Sequence, residues 1–289
     1  MTRGSLFGYE VVSELPLRRL GDGAAPRGTL ALRSATKPIE PGQGPEVHRV
    51  EQAGTTFVLE RVGGALAAHC SATGSYLIDA GARAVWAGPA GKPDDAWEHR
   101  VVSMALPLLA AELGDAVLHA SAVARDGRAI AFAGPPGRGK SSIAAAASAF
   151  ELLGEDGVAL SDGDTGPLAW PGPRGVRLHA GSRTATRIAD AGPARRPATL
   201  CALVLLGERD PERLRIELVE PARAVPQLVP ALIFGGSDRL AAAFADAARL
   251  AASTPVYAVR FPDDLDRLAA ALEDVASEVG ITERGSARS

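Results

Sequence analysis

The stretch RAIAFA (Arg128 to Ala133) followed by Gly134-Pro135-Pro136-Gly137-Arg138-Gly139-Lys140-Ser141-Ser142 decides the fold. An apolar run of strand type enters a glycine-rich loop, and the loop opens an alanine-rich helical stretch, Ser141 to Ala149. The loop fits G-x-x-x-x-G-K-[ST], and strand before and helix after is the setting in which that pattern binds phosphate. Glycines let backbone wrap closely around phosphate oxygens, and successive N–H groups form an anion nest. The start of the following helix adds its positive end. Lys140 then supplies a compact charge to the β- and γ-phosphates, and Ser141 offers a hydroxyl to Mg²⁺. Lysine occurs elsewhere only at Lys37 and Lys92 in a chain that otherwise uses arginine, which adds weight to Lys140.

Working outward, Asp126-Gly127 is a hairpin-type turn linking this strand to the preceding one, AVLHASAVA (Ala116 to Ala124). His119 lies on that strand, close to the γ-phosphate position if the two strands pair; a lone histidine on an apolar strand is more often structural. After the helix, Phe150 to Leu153 begins another strand and leads to Glu155-Asp156. A P-loop needs a carboxylate at the end of a neighbouring strand, and two adjacent ones can divide metal holding from proton acceptance. The plain alternative is a solvated acidic turn. A rival acidic cluster, Asp162 and Asp164, ranks second because its segment reads as a turn.

The rest of the chain sorts around this centre. Residues 1–93 read as a β-rich N-terminal domain with a small, mostly antiparallel sheet: Leu6 to Leu17, Thr55 to Val62, Ala65 to Cys70 and Ser75 to Ile78 as strands, with 22–46 as a mobile surface loop. Asp94 to Leu113 reads as a helix capped by Asp94 or Asp95, with Pro107 as a kink. Residues 94–289 then alternate: Thr199 to Leu206 is a buried strand, Leu214 to Leu218 and Val256 to Phe261 are strands, and Ser237 to Ala252 and Leu265 to Val279 are helices. The tail after Thr282 is expected to fray. The fold class is therefore α/β, α+β overall.

Of the 289 residues, 46% are hydrophobic and 22% charged, as in an ordinary globular protein. A formal net charge of −3 argues against a general electrostatic grip on nucleic acid or an anionic membrane. No apolar run approaches the roughly 18–20 residues of a membrane span. Cys70 and Cys201 lack metal-ligand spacing and read as reduced thiols of a cytoplasmic protein.

Taken together, Leu118-His119-Ala120-Ser121-Ala122-Val123, the P-loop and Leu152-Leu153-Gly154-Glu155-Asp156 resemble the HPr kinase/phosphorylase-like serine kinases, especially the stand-alone kinases of ribosomal-peptide pathways such as lasso-peptide maturation. Pro171 to Leu178 resembles the family's proline-rich turn, and Gly8-Tyr9 to Pro16-Leu17 its N-terminal strand. The resemblance implies a P-loop kinase core related to phosphoenolpyruvate carboxykinase, with ATP and Mg²⁺ as cofactors. It implies transfer of the γ-phosphate to a serine of a small protein or precursor peptide, and a homo-oligomer. By motif, Lys140 and Ser141 would bind phosphates and Mg²⁺, His119 would lie at the γ-phosphate, Asp156 would hold metal, and Glu155 would stand where the family has its basic Asp. Glu155 is one methylene longer than that Asp, and Ser142 replaces the Glu of the bifunctional enzymes, which argues against phosphorylase activity. An ATP-binding regulator without phosphotransfer is the alternative that Glu155 raises, and a small-molecule kinase is a third.

Overall fold

The computed structural model describes residues 1–52, 54–180, 183–187, 194–210, 213–262 and 265–281. The expected frayed tail after Thr282 lies outside the described residues.

The first sheet has eight strands: Thr2–Leu6, Tyr9–Ser13, Thr29–Ser34, Glu46–Gln52, Thr55–Val62, Ala65–Cys70, Gly74–Asp79 and Ala84–Pro89. In space the first three lie side by side, followed by the last five in reverse order, so Glu46–Gln52 forms one edge. Most pairings are antiparallel, but Tyr9–Ser13, Thr29–Ser34 and Ala84–Pro89 run parallel to one another. The expected loop over 22–46 is thus corrected. Its middle is an inner strand with Leu30 and Leu32 fully buried, hidden in sequence by the glycines and prolines on both sides. The single strand expected from Leu6 is in fact a hairpin that turns at Phe7-Gly8, both at positive φ.

A helical segment links this sheet to the next. Asp94 caps it by accepting from the Trp97 amide at 2.8 Å. Asp95–Arg100 and Leu106–Glu112 are α-helical, and Val101–Ala105 between them is a π turn. Pro107 has no N–H to continue the ladder, and the wider turn before it absorbs the mismatch. Leu106 and Leu109 pack with Leu66, Tyr76 and Ile78 of the first sheet, and the same cluster takes in Val117 and Trp170 of the second. One apolar core therefore ties the helix to both sheets.

The second sheet has ten strands. Its centre is Arg128–Ala133, Ala198–Leu206 and Val256–Arg260, mutually parallel. On one face Lys140–Ala146 and Leu265–Glu278 cover Phe132 and Val204 through Ile143, Leu268 and Leu272. On the other, Pro221–Leu228 and Leu240–Ser253 cover Ala131 and Leu203 through Leu228 and Leu250. The carboxyl ends of the parallel strands, where α/β sheets bind ligands, run into Gly134 and Gly207. No helix among the described residues is long and apolar enough to cross a membrane.

Candidate active site

The expected strand Ala116 to Ala124 is two strands split at His119. Ala116–Leu118 pairs with Val158–Ser161 and Leu232–Ile233, whereas Ala120–Arg125 pairs with Arg128–Ala133 and Glu151–Gly154. Leu118 stands opposite Val158 and Ala122 opposite Gly154. Between those pairings both chains leave the ladder, His119 on one and Glu155-Asp156-Gly157 on the other. The break brings the histidine and the acidic pair to one place. Asp156 takes a left-handed conformation, φ +58°, which costs energy for a non-glycine residue and is held by its surroundings.

The P-loop meets this break from the neighbouring strand. Lys140 Nζ donates to the Gly134 carbonyl at 2.7 Å and the Pro135 carbonyl at 3.3 Å, so the ammonium is folded back over its own loop. Gly139 turns into the helix at φ +97°, and a Cβ there would lie 2.4 Å from the Arg209 guanidinium. Ser141 Oγ donates to Glu155 Oε1 at 3.0 Å. Arg138 points away and pairs with Glu208 at 3.5 Å.

Glu155 is 1% exposed. Arg19, from the first sheet's side of the molecule, donates Nη2 to Glu155 Oε2 at 3.2 Å and to the Gly175 carbonyl at 3.1 Å. Burial and the neighbouring Asp156 charge push the Glu155 carboxyl up to about 7, against Arg19 and Ser141, which pull it down. Arg19 Nη1 also lies 3.0 Å from His99 Nδ1. A guanidinium only donates, so Nδ1 accepts, and in the neutral ring the proton sits on Nε2. That nitrogen is 3.3 Å from Asp156 Oδ2. Arg19 thus touches Glu155 directly and Asp156 through His99.

Burial lowers the His119 pKa; Asp156 opposes this and Lys140 adds to it. The ring is therefore neutral near pH 7. Burial likewise lowers Lys140, with Asp156 and Glu155 opposing.

A cavity of about 330 Å³ gathers these groups. His119, Lys140, Ser141, Ser142, Glu155 and Asp156 all line it, with Pro136, Gly137 and Gly139 from the loop. Gly134 and Pro135 contribute the carbonyls that hold Lys140. Asp162 pairs instead with Arg249 at 2.9 Å and Asp164 is exposed; neither lines the cavity. Arg209 lines it and was missed, although it follows the buried strand Ala198–Leu206 at the same sheet end as the P-loop. Arg19 and His99 were also missed, and no local pattern marks them. Among the described residues no group of three or more His, Cys, Asp or Glu side chains could cage a metal unaided. The oxygens of Ser141 and Glu155 do suit Mg²⁺, which takes most of its ligands from phosphate and water.

No known sequence family and no curated protein matches the chain. Among solved structures there is likeness in part. The Hpr(Ser) kinase/phosphatase from Coxiella burnetii aligns over 56% of this chain and 94% of its own, at 13% identity and a TM-score of 0.33. A likeness that faint carries no argument about activity.

Proposed function

We propose that this protein is an ATP-dependent kinase that transfers the γ-phosphoryl group to a serine hydroxyl of a small protein or precursor peptide. The observation that carries the reading is the single cavity in which the P-loop lysine and serine, His119 and two carboxylates converge. The serine and the peptide come from the sequence resemblance around Leu118–Val123 and the P-loop.

The residues divide the chemistry as follows. Lys140 exchanges its loop carbonyls for phosphate oxygens, and the backbone amides of the loop hold the rest of the chain of phosphates. Mg²⁺, when bound, would neutralise charge between the β- and γ-phosphates. Ser141 and Glu155, 3.0 Å apart, would hold it through their side-chain oxygens. Asp156 is the base, since it is more exposed than Glu155, 21% against 1% for the side chains, and borders the route by which an acceptor arrives. This reverses the roles expected from motif position. The acceptor oxygen attacks the γ-phosphorus, the bond from that phosphorus to the bridging oxygen breaks, and ADP leaves with the electron pair. The hydroxyl proton passes to Asp156, and His99 Nε2–H holds that carboxylate in place. Neutral His119 offers an N–H donor beside it.

The test is incubation of the protein with Mg-ATP and the peptide encoded beside it, followed by mass spectrometry. One added phosphate, lost with Lys140→Ala, is expected; transfer that persists in Lys140→Ala sinks the assignment. The second reading, an ATP-binding regulator, is favoured by Glu155, whose oxygens are already taken by Ser141 and Arg19. Tight Mg-ATP binding with no transfer to any peptide would select it.

A further inference from the structure

A second cavity, about 670 Å³, meets the first at His119 and Asp156, which line both. It runs between the first sheet, the linking helix and the segment before Leu240–Ser253. Val47, Phe57, Met104, Leu108, Phe234 and Leu240 are among the apolar residues of its wall. Leu240 is 42% exposed, and Phe244, one turn on, is 45% exposed. Phosphates held by the P-loop occupy one side of His119 and Asp156, so a hydroxyl reaching the γ-phosphorus must come from the other side, which is this groove.

Two features say what fits it. The wall strand Glu46–Gln52 is a sheet edge: it pairs with Thr55–Val62 on one side and with no described strand on the other. Unpaired strand backbone is satisfied by another extended polypeptide. The lining also carries two side chains of opposite charge. Asp156 is its one carboxylate among the described residues, whereas Arg100 contributes a guanidinium that stacks 5.9 Å from the Phe57 ring and whose buried Nε has no hydrogen-bond partner there.

We infer that the groove between the edge strand Glu46–Gln52 and Leu240 is the acceptor site, and that it takes an extended peptide with apolar side chains beside its hydroxyl residue and a carboxylate for Arg100. The inference rests on the kinase reading for the direction of approach, and binding is tested apart from transfer. The probes are synthetic serine peptides of three kinds: apolar flanks with a glutamate, the same with lysine in its place, and wholly polar flanks. Affinity is measured with Mg²⁺ and a non-hydrolysable ATP analogue on the full chain. The wild type should favour the first kind. Leu240→Arg, at an exposed position, should weaken it about tenfold, and Arg100→Met should erase the preference for glutamate over lysine. Nucleotide affinity should stay unchanged in both variants.

If the wild type binds none of the peptides, or binds all three alike, the inference is overturned. Affinity unmoved by both substitutions overturns it too, as does phosphate transfer to glycerol or free serine but to no peptide. Transfer to peptides that survives both substitutions overturns the docking site and leaves the kinase. Peptide binding that follows the predicted pattern without any transfer keeps the docking site and removes the kinase.

Discussion

The two sides of the ladder break at His119 are made in different ways. On the proposed phosphate side one loop supplies most of the lining, Pro136 to Ser142, and Lys140 reaches carbonyls only five and six residues back. The proposed acceptor side is assembled from separate stretches: its wall draws on the first sheet, the linking helix and the turn before Leu240. Phosphate recognition can rest on a short loop because every nucleotide presents the same anion. Acceptor recognition needs surfaces of particular shape, and these are assembled from distant parts.

That contrast can be broken most directly at Asp156. Asp156→Asn should lower the transfer rate by about 10²–10⁴-fold with Mg-ATP affinity unchanged, as expected for loss of a base. Single-turnover rates beside calorimetric nucleotide binding would check it. A larger rate loss in Glu155→Asp than in Asp156→Asn would reassign the base to Glu155. Next comes the long-range tie. Arg19→Met leaves the buried Glu155 carboxyl without its cation, and breaking a buried pair costs about 3–5 kcal/mol. Urea denaturation should show that loss, and Glu155→Gln on top of it should return part. Equal stability of single and double variants would mean that the pair is not coupled.

The smallest effect is a pH slope. The Glu155 carboxyl rises from 4.5 to about 7 in the folded chain, so over that interval the folded state holds a proton that the unfolded state has released. Its contribution to stability therefore falls as pH rises through the same window. Glu155→Gln should flatten the slope and melt a few degrees higher on the alkaline side of neutrality, by calorimetry across pH. An unchanged slope would place the proton elsewhere.

The sequence exposed the parts whose cause is local. The P-loop is legible because phosphate dictates its residues in order. Leu118-His119 and Glu155-Asp156 were legible because each sits next to an apolar strand. Their meeting was implied only by the family resemblance, since it depends on two strands changing partners at the same level. The strand Thr29–Ser34 escaped because two buried positions, Leu30 and Leu32, are too few to outweigh flanking glycine and proline. Arg19 and His99 escaped because an arginine-rich chain gives no sign of which guanidinium is buried, and their contacts join residues far apart in the chain. The helix over Asp95–Glu112 was found, but its π turn is a response to Pro107 that only the backbone reveals.

The Arg19 bridge has a bearing on how this chain can be divided. The β-rich part ends near residue 93, an inviting place to cut. Yet the backbone amides of Arg18 and Arg19 hydrogen-bond the buried Glu98 carboxylate, Arg27 pairs with Asp115, and Arg19 reaches Glu155. Residues 94–289 expressed alone would inherit three interior acids and none of these donors. The two sheets are separate in sequence but share one electrical ledger, so residues 94–289 are not an autonomous fragment.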